Sequence, residues 1–200
     1  AVAICTEHHD VLLATANVAP YGQEASGLDH PLGVFYLSGV HRWAVYNDDL
    51  NLMTLGRAWN VFIPPHDSTL SLHDSTAINS TGTRTRIDDP QLNNHPEALV
   101  FVQHVYNPNA PAAGAAPQGA PVNYFTQTVG VTYDSIAGQW AIRTEDGSTF
   151  PFSKTFYVLK ASDDEAAFTH TVTAGNHLHP YATALDHPAL NGNPDAQILI

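Results

Sequence analysis

Twelve histidines in a 200-residue chain are the side chains with the widest chemical reach, because imidazole can ligate a metal or carry a proton near neutral pH. Their spacing argues for neither. His30, His95, His179 and His187 each precede a proline, which holds them in extended or turn backbone. His177 and His179 would share one face of a strand, and His8 and His9 adjoin Asp10. A metal centre needs three or four convergent ligands, and each of these places guarantees only two. Asn47-Asp48-Asp49-Leu50-Asn51 has the oxygen ligands that calcium takes, without the spaced positions and distal Glu of an EF-hand loop, so it reads as a solvated turn. No G-x-S-x-G, phosphate-binding loop, H-E-x-x-H or dinucleotide fingerprint occurs. Cys5 is the single cysteine, either an inert thiol or a bridge between subunits. The expectation is a protein that is not an enzyme, with no catalytic residue, cofactor or metal.

The bulk composition narrows the partners. With 19 acidic and 7 basic residues the formal net charge is −12, which argues against nucleic acid and anionic membrane, since Lys and Arg hold both. No run nears the ~18 apolar residues of a membrane span, so membrane insertion is not expected. Scarce Lys and Arg beside abundant Thr, Asn, Gly and Pro favour an extracellular or cell-surface location. Asn79-Ser80-Thr81 is a sequon that would accept a glycan in a glycosylating exporter, or else a turn sequence. Tyr21, Tyr36, Tyr46, Tyr106, Tyr124 and Tyr181 could stack on sugar, but cross-strand partners on half-buried faces are the plainer reading.

The elements that position these residues are strands. Apolar and polar residues alternate over short runs bounded by Gly, Pro, Asn and Asp, with no helical period sustained. Strands are expected over 10–17, 33–37, 43–46, 58–63, 69–77, 98–106, 122–133, 140–144, 155–159, 167–174 and 196–200. Residues 107–121, NPNAPAAGAAPQGAP, form a Pro- and Ala-rich loop inserted between two of them.

The chain also repeats. Residues 32–63 align without a gap on 129–160 at an offset of 97 (129 less 32), with identities at Gly33/Gly130, Val34/Val131, Tyr36/Tyr133, Trp43/Trp140, Ala44/Ala141, Asp49/Asp146 and Val61/Val158. A landmark occurs three times, as Leu28-Asp29-His30-Pro31, Ile87-Asp88-Asp89-Pro90 and Leu185-Asp186-His187-Pro188. Leu92, Asn93, Pro96 and Ala98 recur as Leu190, Asn191, Pro194 and Ala196 at an offset of 98 (190 less 92). After the first landmark this segment is missing, and Pro31 runs straight into Leu32. The expected architecture is all-β, with two tandem β-sandwich-like modules: residues 1–63 an incomplete module lacking a strand, 64–161 a complete one, and 162–200 a C-terminal arm ending in a donor strand. Trp43 and Trp140 should occupy equivalent core positions.

The repeat, with its Asp-His-Pro blocks, its Leu-Asn blocks at 92–96 and 190–194 and its Arg42-Trp43-Ala44-Val45/Gln139-Trp140-Ala141-Ile142 blocks, resembles a tandem module of large secreted microbial proteins of unknown function. It departs from that pattern in its shortened first copy and in Asp89 where His is usual. The resemblance implies β-architecture and an extracellular location, and no catalytic role. The two ends resemble donor-strand-complemented filament subunits, in which an extended segment completes a neighbour's sheet.

The sequence then points to a subunit that polymerises with itself, head to tail. Ala196, Gln197, Ile198, Leu199 and Ile200 would be the donor strand, matched to Ala98–Val102, and Pro31 and Leu32 would flank the acceptor slot. An unfilled slot exposes a sheet edge, which proteins cover. The alternative is a monomeric extracellular glycan-binding or adhesive β-sandwich.

Overall fold

A computed structural model describes residues 13–17, 30–37, 42–53, 58–63, 69–106, 124–161, 167–180, 182–193 and 196. Expectations that fall on Cys5, His8, His9, Tyr21, Tyr181, the 107–121 loop and Gln197–Ile200 lie outside them, as do the side chains of Tyr36 and His179. The described chain is all-β, with thirteen strands and no helix.

The strands are β1 (Leu13–Asn17), β2 (Leu32–Leu37), β3 (Arg42–Asn47), β4 (Ala58–Phe62), β5 (Thr69–Asp74), β6 (Ser80–Thr81), β7 (Arg84–Arg86), β8 (Val100–Val105), β9 (Val129–Asp134), β10 (Gln139–Thr144), β11 (Thr155–Lys160), β12 (His177–His179) and β13 (Ala182–Thr183). They build a five-stranded sheet in the order β3-β2-β8-β11-β5, a four-stranded sheet β6-β7-β10-β9, and the pairs β1-β4 and β12-β13. The complete module packs Ile87, Leu92, Ala98, Val100 and Phe125 against Ile142, Phe150, Phe156 and Val158 in one core. Residues from both sheets meet there, as in a β-sandwich.

The apolar run at 98–102 predicts a strand buried on both sides, and β8 is one. It lies between β11, antiparallel, and β2, parallel. The β2 contact ties the first hairpin to the complete module, where Val34, Val105 and Tyr157 form a second cluster with Trp43, Val45 and Leu70 against it.

The repeat holds in three dimensions. Hairpins β2-β3 and β9-β10 pair in the same register, Tyr36↔Trp43 and Tyr133↔Trp140. Pairing of β1 with β4 places Leu13 opposite Phe62, as β5-β11 places Leu70 opposite Leu159. Gly33 leaves room for the Tyr46 ring, since a Cβ there would lie 2.5 Å from it.

Two expectations are corrected. Trp43 and Trp140 are half-buried at the rims of two different clusters rather than at core centres. Trp43 meets Tyr157 edge-on, and Trp140 meets Tyr133. Residues 167–174 form no strand. Their counterpart β5 is held by β11, and the arm has no such strand beside it among the described residues. The regular structure there is the β12-β13 hairpin.

Candidate assembly surface

The arm repeats several hydrogen bonds from the front of the complete module. Asn79 accepts from the Thr76 amide through Oδ1 at 2.7 Å and donates from Nδ2 to the Asp74 carbonyl at 2.8 Å. Asn176 does the same with Thr173 at 2.7 Å and Thr171 at 2.9 Å. His73 meets the Thr85 hydroxyl at 2.8 Å, and His170 meets that of Thr183 at 2.9 Å. Asn79 is thus the hub of a turn. Asn176, followed by His177 and Leu178, lacks a sequon and makes the same two bonds, so the turn uses asparagine with or without a sequon.

The Asp-Pro landmark opens a second repeated turn. Leu92 and Asn93 donate to the Asp89 carbonyl at 2.9 and 2.8 Å, and Leu190 and Asn191 donate to that of His187 at 2.9 and 3.0 Å. Asn93 Nδ2 donates to Asp88 at 2.8 Å, and Asn191 Nδ2 to Asp186 at 2.7 Å. Both turns pass through left-handed backbone, at Asn94 (φ 63°) and Gly192 (φ 72°), which asparagine and glycine tolerate best. Ala98 donates to the His95 carbonyl at 3.2 Å, and Ala196 to that of Asn193 at 3.3 Å.

Their surroundings differ. Leu92 is 1% exposed, whereas Leu190 and Ala196 are half-buried. Two counterparts of the opposite half of the core are exposed towards the other end of the chain, while Val45, the counterpart of Ile142, packs against the second cluster. Met53 is 41% and Val61 45% exposed, where Phe150 and Val158 are each 1% exposed. Among the described residues β4 is paired only with β1. Of the expected interface residues, Pro31 accepts from the Asp48 amide at 2.8 Å, and Leu32 begins β2 opposite Asn47.

One cluster escaped the sequence reading. Asp48, expected in a solvated turn, is 1% exposed. Its carboxylate accepts from the Tyr46 hydroxyl at 2.8 Å, the His104 Nδ1–H at 2.8 Å and the Phe125 amide at 3.1 Å. Burial, and then the Asp48 charge, push the Tyr46 phenol far above its ordinary range. His104 Nε2 is buried without a hydrogen-bond partner, between Phe125 and Phe156. The cluster joins β3, β8 and the segment before β9, and being closed to solvent it serves structure. Tyr46, Tyr106 and Tyr124 meet one another with ring centroids 5.5–6.2 Å apart. Among the described residues no three His, Cys, Asp or Glu converge as metal ligands, and no helix is long and apolar enough to cross a membrane.

A family described as Domain of unknown function (DUF7452) matches residues 33–127 and 130–200. The chain belongs to this family. No curated protein and no solved structure matches it. The two matched stretches begin at the equivalent glycines Gly33 and Gly130, and the core of the complete module takes Ile87 to Phe125 from the first and Ile142 to Val158 from the second. Each family unit therefore contributes half of that core.

Proposed function

We propose that this family member is an extracellular structural subunit that polymerises head to tail into a filament by strand donation. The observation that carries the reading is the complementarity of the two ends. The arm has the front of a module with its apolar residues half-exposed, and the first module has Met53 and Val61 of the back exposed. A contact between unlike surfaces that does not close on itself propagates into a fibre.

The complete module supplies the register. Val102, Phe101 and Val100 face Val158, Leu159 and Lys160, so Ile200, Leu199 and Ile198 would face Val61, Phe62 and Ile63 of the neighbour's β4. A slip by one residue would exchange the faces. Three apolar side chains at about 1.5–3 kcal/mol each barely meet an association cost of about 4–15 kcal/mol, so more of the arm than the strand has to pack.

Deletion of Ala189–Ile200 should leave soluble subunits that sediment as monomers, where the intact chain forms filaments under negative stain. Filaments of unchanged morphology from the truncated chain, or an intact chain that stays monomeric at every concentration, would overturn the proposal. The half-buried pair Tyr106 and Tyr124 favours one second reading, a monomeric glycan-binding sandwich. Saturable binding of a glycan array by the monomer, lost in Tyr106→Ala, would support it.

A further inference from the structure

We propose that Leu190 and its turn dock, as a preformed plug, on the uncovered half-core around Met53 and Val61 of a second copy of this chain. The inference rests on the strand-donation reading and extends it from an extended strand to a folded element. It commits to a second copy because the chain already contains the docked version of both surfaces. In the complete module Leu92 lies in one core with Phe150 and Val158, and the same turn is fastened to the β9-β10 hairpin. The Asn94 amide donates to the Gly138 carbonyl at 2.8 Å, and Trp140 Nε1 donates to that of His95 at 2.9 Å.

The apolar parts of that contact have counterparts towards the ends of the chain. Leu190 stands for Leu92, Gly192 for Asn94 and Asn193 for His95. Met53 stands for Phe150 and Val61 for Val158, while Trp43, the counterpart of Trp140, packs against Tyr157 of its own chain. The first module has its own landmark at 28–31 but nothing matching 91–98, so 189–196 duplicates nothing already present there. The turn is held by its own backbone bonds before docking, which lowers the ordering cost of association.

The test is a double-mutant cycle on the full-length chain, read as the critical concentration for assembly by sedimentation. Leu190→Ala should raise it roughly 10- to 100-fold and Val61→Ala several-fold. The double variant should fall short of the product of the two, because each removes the other's contact. The main melting transition of the dilute protein should not move in Leu190→Ala. Effects that multiply, an unchanged critical concentration in Leu190→Ala, or a lowered melting temperature that places the plug within its own chain would overturn the inference. Ile198→Asp separates it from the reading beneath. If that variant abolishes assembly while Leu190→Ala does not alter it, the strand is donated without the plug. If neither matters, or the intact chain never assembles, both fall.

Discussion

Residues 87–98 and 185–196 build the same turn, with matching bonds at Leu92 and Leu190, Asn93 and Asn191, Ala98 and Ala196. Yet only the first buries its apolar side chains, at Ile87, Leu92 and Ala98. Local structure in this chain is therefore set by local sequence: the Asp-Pro or His-Pro start, the asparagine that reaches back to the aspartate, and the left-handed residue that closes the turn. Burial is set by what lies opposite. The turns of a module's front half form with or without its back half, and the apolar residues left half-exposed there are the ones proposed to dock.

The largest expected effect comes from the leucine shared by both turns. Leu92→Ala should lower the stability of the complete module by about 2–5 kcal/mol, the cost of a large-to-small change in a packed core. Leu190→Ala in dilute, unassembled protein should cost less than about 0.5 kcal/mol, as surface changes do. Urea titration of both variants measures the contrast. Equal losses would mean that the arm is docked within its own chain, and the comparison would break.

How much of this was legible follows the same division. The gapless repeat, most strand positions and the buried character of β8 were readable, because period-two alternation and turn residues are local signals. The two-residue strands β6 and β13 were not, since so short a run carries no period. The Asp48 cluster was missed for another reason. Tyr46 and His104 are 58 residues apart, and Asp48 and His104 56 apart, and they meet only because β2 pairs in parallel with β8, which no local pattern announces. A usable hint was there: Gln103 and His104 continue an apolar strand without interruption, and both are buried. The candidate donor strand was found by repetition alone, and that signal identifies an equivalent residue without saying what surrounds it.

Acid should sharpen the comparison next. His73 is buried, and burial, opposed weakly by the Asp74 charge, takes its pKa from 6.5 to about 4. Between those values the unfolded chain holds a proton that the folded chain does not. The contribution is complete above pH ~6.5, declines as the pH falls towards 4 and is then flat, for a total of up to about 3 kcal/mol. His73→Gln should remove that slope between pH 7 and 4 in equilibrium unfolding, and an unchanged slope would assign acid lability elsewhere. His170→Gln removes the matching bond to Thr183 from a half-exposed place and should cost under about 1 kcal/mol at pH 7.

The smallest effect is expected where the two turns differ in residue and agree in shape. Asn94 and Gly192 both have positive φ, 63° and 72°. Glycine at position 94 would relax the left-handed backbone while adding freedom to the unfolded chain, and these terms oppose one another. Asn94→Gly should therefore change stability by less than about 1 kcal/mol. Asn94→Val should cost more, roughly 1–2 kcal/mol or above, because a β-branched residue is excluded from that region. The same pair at 192 should behave differently. Gly192→Asn should leave both the dilute protein and its assembly nearly unaltered. Gly192→Val should leave the melting temperature of the dilute protein in place while raising the critical concentration, since the turn it opens carries load only when docked. A Gly192→Val chain that melts lower without assembling any worse would show that the arm's turn supports its own subunit, and the two regions would then differ in sequence but not in role.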